Sequence, residues 1–237
     1  MENEMNEMNV YWACVEAEWM AATEPESVSK LFYEKYKFDK SNPHSILNQC
    51  PAFNSNLKNL FAIRSLYDFG FNIDGENVTS QSNIPLGQRL MVRSLNNRFF
   101  SFFNKYIFFT DAPSLDVTFY EHPYLEDNDI SSRCMIPAGT YDIGKWFRNT
   151  EFPFFLKKEY SSFKINRGDI YSYIRFHTDD KIKFKEFRFN RTLSDFMFDT
   201  GSLQNGCPMG ALSNYYKAFR SKKLILKEIK ENLVEKK

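Results

Sequence analysis

The feature that most constrains this fold is a series of short aromatic and β-branched segments that recur between residues 61 and 189. Segments rich in Phe, Tyr, Ile and Val favour β-strands, and one of the turns between them is Asp74-Gly75, a strong hairpin signal. Residues 115–120 (LDVTFY) alternate apolar and polar side chains, as a half-buried strand does. Short strands with turns about every 8–12 residues are typical of an antiparallel β-sandwich or a jelly-roll-like barrel.

The chain carries enough aromatic surface to fill the core of such a fold. Its 237 residues include 25 Phe, 13 Tyr and 3 Trp, and each aromatic side chain buries roughly 150–250 Å².

Helical patterns flank the strands. Apolar residues at helical spacing predict an N-terminal helical segment over residues 26–36, begun by Pro25, and an amphipathic C-terminal helix over residues 212–233. The predicted class is therefore mainly β (α+β).

We expect one domain with a short tail and a terminal helix. Residues 1–9 are acidic and polar and are expected to form a flexible tail. Residues 10–211 would form a single β-rich domain, in which residues 190–211 predict an irregular loop because they are rich in turn formers and glycine. Residues 212–237 would form a helix packed on that domain, and a partner protein is the alternative surface for its apolar face.

Charge and hydropathy argue against nucleic acid and membrane as partners. The 31 Lys and Arg nearly balance the 30 Asp and Glu, whereas nucleic-acid binders usually carry a basic excess. No apolar run approaches the roughly 20 residues of a membrane-spanning helix, and the acidic N-terminal residues are the reverse of a signal peptide. Four widely spaced cysteines form no CxxC pair. Together these features predict that the protein works in a reducing cytoplasm and that its cysteines act as small buried hydrophobic residues.

The three histidines allow one candidate metal site. His177 lies in a His-x-Asp sequence at the end of a predicted strand, and His122 follows Glu121 in an earlier segment. Non-haem iron oxygenases pair His-x-Asp with a later histidine, but no histidine follows His177. A cupin-like barrel could instead place Glu121, His122 and His177 around a divalent transition metal, although cupin motifs cluster their ligands within one hairpin. These three residues are the candidate ligands, and turn or surface positions are the alternative for the histidines.

Motifs for nucleophilic catalysis and nucleotide binding are missing from the sequence. It contains neither Gly-x-Ser-x-Gly nor the glycine patterns of phosphate-binding and dinucleotide-binding loops. The carboxylates between Glu121 and Asp129 favour an acidic surface loop over a glycosidase pair. Residues 167–169 (RGD) favour a structural turn at a strand end. We therefore expect no catalytic residue and no cofactor, with the metal described above as the alternative.

Five short motifs occupy residues 46–53 (ILNQCPAF), 58–63 (KNLFAI), 121–123 (EHP), 146–148 (WFR) with 152–154 (FPF), and 167–169 (RGD). Together they resemble an uncharacterised family of bacteriophage-encoded proteins that is best represented in marine, cyanophage-like genomes. The resemblance runs from about residue 10 to about residue 235, and its motifs are structural in character. Because that family has no established activity, the resemblance implies no functional residue. It implies a viral protein, and the Asn-, Lys- and Phe-rich composition also suits an AT-rich viral genome.

These features predict a non-enzymatic β-sandwich module of a phage, either a virion component or an accessory protein that binds a partner during infection. The partner would be a protein, whether a second copy, a virion protein or a host protein. The expected location is the host cytoplasm or the virion. A metal-dependent enzyme of the cupin or oxygenase type, with its site near His122 and His177, is the alternative. An antagonist of host defence is a third hypothesis.

Overall fold

The computed structural model describes residues 6–15, 22–35, 49–81, 85–120, 128–201 and 211–235. Within these ranges lie fourteen strands, five α-helices and one 3₁₀ turn, Leu86–Gln88. The strands are β1 (Glu7–Cys14), β2 (Glu26–Ser27), β3 (Leu60–Arg64), β4 (Phe69–Asp74), β5 (Asn77–Ser80), β6 (Leu90–Ser94), β7 (Phe99–Phe109), β8 (Asp116–Tyr120), β9 (Cys134–Met135), β10 (Gly139–Asp142), β11 (Asn149–Leu156), β12 (Ser162–Ile165), β13 (Ile170–Phe176) and β14 (Lys181–Glu186). The helices are α1 (Val28–Lys35), α2 (Pro51–Leu57), α3 (Asp129–Arg133), α4 (Arg191–Gly201) and α5 (Ala211–Glu231).

The strands form three sheets. Sheet A has the order β14-β1-β7-β11-β9, with β6 also paired to β7; sheet B has the order β10-β8-β13-β3-β2; and sheet C has the order β12-β4-β5. The pairing is antiparallel except between β1 and β14, which run parallel. The mainly β, sandwich-type prediction is confirmed. Among the described residues no sheet closes on itself to form a barrel.

Strand β7 is eleven residues long and lies at the centre of sheet A. Its first half pairs with β6 and its second half with β1, while β11 pairs with it on the other side. Because alternate side chains of a strand point to opposite faces, β7 contributes to the core on both sides of the sheet. Its side chains on the inner face include Phe100, Phe102, Tyr106 and Phe108, and those on the outer face include Ile107 and Phe109.

Sheet B packs over the second half of β7 and gives the sandwich its first core layer. Trp12 of β1 stacks on Tyr106, with 5.8 Å between the ring centroids. Across the layer, Phe176 of β13 meets Phe108 edge-on at 6.0 Å. Cys14 is buried in the same layer, which is the small hydrophobic role that the sequence predicts for it.

Sheet C packs over the first half of β7, and the layer between them consists largely of phenylalanine. Phe154 of β11 is fully buried. Its ring centroid lies 4.8 Å from that of Phe102, 5.5 Å from that of Phe163 and 5.6 Å from that of Phe100. Such offset or tilted ring pairs each add about 0.5–1.5 kcal/mol beyond the burial of their area. This aromatic layer therefore attaches sheet C to sheet A.

Helices cover the outer faces of both larger sheets. On sheet A, Ile225 and Ile229 of α5 are buried against Ile107 and Phe109. Lys222 adds a polar anchor, because its Nζ donates to the backbone oxygen of Gly144 at 2.8 Å. On sheet B, α1 and α2 bury their apolar side chains against β3 and β13. In the part of the chain that the structure describes, no helix is both long and apolar enough to cross a membrane.

The predicted irregular loop over residues 190–211 is wrong for its first half, because residues 191–201 form α4. Two local features explain the helix. The Asn190 side chain accepts a hydrogen bond from the Leu193 backbone N–H at 2.9 Å, as a helix N-cap does. Leu193 is fully buried beside α5. Asn190 thus caps a helix in this half of the segment, and residues 202–210 lie outside the described residues.

The other predicted boundaries differ by a few residues. Strand β1 begins at Glu7, inside the predicted tail. The helical segment expected over residues 26–36 is an eight-residue helix, α1, which follows two strand residues. The C-terminal helix expected over residues 212–233 is α5.

Two predicted turns are confirmed. Gly75 has a φ of +57° in the hairpin between β4 and β5, a conformation that favours glycine. The RGD sequence forms the turn between β12 and β13, in which Gly168 has a φ of +90°. The Asp169 carboxylate accepts a hydrogen bond from the Asn166 backbone N–H at 2.7 Å, so this aspartate has a structural role within the turn.

Replacement of Phe154 by alanine tests the aromatic layer. Because this side chain is fully buried among several rings, Phe154→Ala should lower the free energy of unfolding by about 3–5 kcal/mol. The matched control is Phe155→Ala, one residue along and on the opposite face of β11, where the ring is only partly buried. Chemical denaturation should show a clearly smaller loss for the control, and equal losses would contradict this packing.

Candidate functional site

The structure describes one of the three candidate metal ligands. His177 directly follows β13, its side chain is exposed, and its Nε2 lies 2.7 Å from the Thr118 hydroxyl oxygen. Glu121 and His122 lie outside the described residues. Tyr120, the residue before them, pairs with Tyr173. Tyr173 lies four residues before His177, which corresponds to about 13 Å along the strand.

Among the described residues, no group of three or more His, Cys, Asp or Glu side chains could hold a metal ion. The metal site at Glu121, His122 and His177 therefore stays a prediction.

Elemental analysis of the purified protein tests this metal site. The site requires a stoichiometric transition metal that is lost when His122→Ala and His177→Ala are combined. A protein that neither contains such a metal nor binds Fe²⁺ or Zn²⁺ in a titration would exclude the site.

A groove of about 680 Å³ runs along the open side of the sandwich, between the edge of sheet A and the edge of sheet B. Sheet A ends there with β14, and sheet B ends with β2, which is only two residues long. Because β2 is so short, it leaves much of the gap beside β14 uncovered. The groove is lined by Glu24, Pro25, Glu26, Ser27, Lys30, Leu31, Glu34, Phe61, Ile182, Lys183, Phe184, Lys185, Glu186, Leu233 and Val234.

The floor of the groove is apolar. Ile182 and Phe184 of β14 point into the sandwich core. Phe61 of β3 meets Phe184 edge-on, with 4.8 Å between the ring centroids, and Leu31 of α1 forms part of the opposite wall. An apolar floor inside a charged rim is typical of surfaces that recognise another protein.

The outer edge of β14 presents backbone groups to this groove. The N–H groups of Lys181 and Phe187 donate to β1 or the residue before it, at 2.9 and 3.0 Å. Because successive peptide groups of a strand point to opposite sides, those of Ile182 and Phe184 point into the groove. Within the described ranges no hydrogen bond reaches these outward groups.

The outer face of β14 carries three lysines, Lys181, Lys183 and Lys185. Lys183 pairs with Glu7 of β1 at 2.8 Å. This hydrogen bond is the main reason why the pKa of Glu7 lies below its ordinary value, and the positive charges of the three lysines lower it further. One carboxylate thus faces three ammonium groups, which leaves this face positively charged.

Two acidic residues of the opposite wall, Glu26 and Glu34, have basic partners. Glu26 pairs with Arg64 at 2.8 Å, and Glu34 lies 3.9 Å from Lys30 on the same helix. In contrast, neither Lys181 nor Lys185 forms an ion pair with any residue that the structure describes. The positive charges of Lys181 and Lys185 along β14 are therefore not neutralised by an ion pair within the described part of the chain.

A second, smaller pocket of about 220 Å³ lies elsewhere on the sandwich. Tyr141 stacks on Phe119 in its wall, with 5.7 Å between the ring centroids. The Arg148 guanidinium carbon lies 5.2 Å from the centre of the Trp146 ring, and burial lowers the pKa of Arg148. Ligand pockets for small molecules usually measure about 300–1,000 Å³, so this pocket is smaller than a usual ligand site.

None of the groove residues was a candidate from the sequence. The alternation of lysine with Ile182 and Phe184 predicts a half-buried strand, and this is what β14 is. However, whether a strand lies at the edge of a sheet depends on strand order, which its own residues do not encode. A lysine-rich strand is a weak signal for an edge, since lysines are common on edge strands.

Comparisons with known proteins identify no relative of this chain. No protein-family model matches it, no curated protein matches it, and no solved structure matches it. The resemblance to a family of phage proteins therefore stays a prediction.

Proposed function

We propose that this protein is a non-enzymatic β-sandwich module that binds another protein through the groove along β14. The observation that carries the proposal is the combination of an apolar floor with a row of outward backbone groups at Ile182 and Phe184. A sheet edge of this kind is a ready template for pairing with another chain. Recognition by strand addition uses such an edge for affinity and adjacent pockets for specificity.

The shape of the groove favours a polypeptide over a small molecule. Strand β14 is six residues long and so offers an edge of about 20 Å. The groove is open to solvent along this edge, whereas small-molecule sites enclose most of the surface of their ligand.

The motif resemblance supports a place for this module in a phage. We propose a virion component or an accessory protein that binds its partner in the host during infection. The groove serves either role, because both require a stable contact with another protein.

Selection from a random-peptide display library tests binding at the groove. Peptides selected on the wild-type protein should bind Leu31→Glu at least about tenfold more weakly, a loss of about 1.4 kcal/mol, because a charge would replace an apolar wall of the groove. Fluorescence anisotropy with synthetic copies of the selected peptides gives the two dissociation constants.

The matched control is Met135→Glu, which places the same charge at an exposed apolar residue on β9, at the opposite edge of sheet A. Its affinity for the peptides should equal that of the wild type. If the library yields no binder, or if both variants bind the selected peptides as the wild type does, the groove is not the binding site.

A further inference from the structure

The chain itself shows how a strand adds to this edge. Beyond α5, Leu233 forms an antiparallel bridge with Phe187. The Val234 N–H donates to the Glu186 oxygen at 2.9 Å, and the Arg188 N–H donates to the Asn232 oxygen at 2.9 Å. The outer edge of β14 is therefore already paired at its last residue, Glu186, and this pairing is antiparallel.

The same edge continues into the groove without a described partner. The outward groups of Glu186 are followed by those of Phe184 and Ile182, which share their orientation. The antiparallel register of Leu233 and Phe187 places Glu235 opposite Lys185. A segment of about four residues would therefore extend about 13 Å along Lys181 to Phe184. In an antiparallel pair the residues opposite Phe184 and Ile182 would each exchange two hydrogen bonds with them.

Pairing geometry fixes which side chains of the added segment enter the groove. Directly opposed residues of an antiparallel pair point to the same face of the sheet. Residues opposite Ile182 and Phe184 would therefore point inward, towards Phe61 and Leu31. Residues between them would point outward, beside the lysines of β14. The segment therefore needs apolar residues at the positions opposite Ile182 and Phe184.

The charge of β14 determines which residues suit the positions of the segment that point outward, beside the lysines. Lys181 and Lys185 have no ionic partner among the described residues, and carboxylates beside them would form favourable cross-strand pairs. A second copy of β14 would place lysine against lysine, which is unfavourable. The charge pattern therefore favours another protein over a second copy of this chain.

We infer that the partner segment adds to β14 as an antiparallel strand in which apolar residues alternate with Asp or Glu. This inference rests on the proposed function, since it names the kind of segment that the groove binds. It assigns Lys181 and Lys185 as the residues that select acidic partners.

Two synthetic peptides test the charge selection, one alternating Val with Glu and the other alternating Val with Lys. Fluorescence anisotropy should show that the Val–Glu peptide binds the wild-type protein at least about tenfold more tightly. The double variant Lys181→Glu with Lys185→Glu should reverse this order. Equal binding of both peptides to the wild type would overturn the charge assignment.

N-methylation of the peptide backbone tests strand addition. Methyl groups on the Val nitrogens should weaken binding at least about tenfold, because these N–H groups would donate to β14. Methyl groups on the Glu nitrogens, the matched control, should leave binding unchanged because these groups point away from β14. If both methylated peptides bind equally while Leu31→Glu still weakens binding, the groove binds peptides without strand addition. If no peptide responds to Leu31→Glu, the proposed function itself fails.

Discussion

The packing of aromatic side chains on both halves of β7 is the interaction on which the rest of the structure depends. Phe100 and Phe102 face sheet C, whereas Tyr106 and Phe108 face sheet B. One strand therefore joins two core layers, and its opposite face contacts the C-terminal helix through Ile107 and Phe109. Since each large buried aromatic contributes several kcal/mol, the relative positions of the three sheets follow from this strand.

The open groove is a consequence of that arrangement. With β7 at its centre, sheet A extends on one side through β1 to β14. Sheet B ends above this side with the two residues of β2, and α1 turns away to cover the outer face of sheet B. Phe61, Ile182 and Phe184 fill the floor of the gap, but the peptide groups of β14 still face it. The groove thus arises from two sheets of unequal reach, without any local distortion.

Local patterns predicted much of the fold, because they depend on neighbouring residues. Asp74-Gly75 predicts its hairpin, and residues 115–120 predict β8, since turn chemistry and side-chain alternation are encoded locally. Strand order is different. Strand β14 pairs with β1, at Glu7 to Trp12, across most of the chain length, and no local pattern specifies that parallel pair. The same limit applies to function. A histidine such as His177 can be recognised from the sequence as a candidate ligand, whereas the groove depends on which strand lies at the edge of sheet A.

Amide hydrogen exchange along β14, followed residue by residue by NMR, tests the central claim most directly. The claim is that one side of β14 is paired with β1 and the other is open. The amides of Lys183 and Lys185, which face β1, should exchange slowly. Those of Ile182 and Phe184, which face the groove, should exchange faster by orders of magnitude, because hydrogen-bonded amides exchange only when the structure opens. Equal protection of all four amides would show that this edge is already paired and would contradict the account.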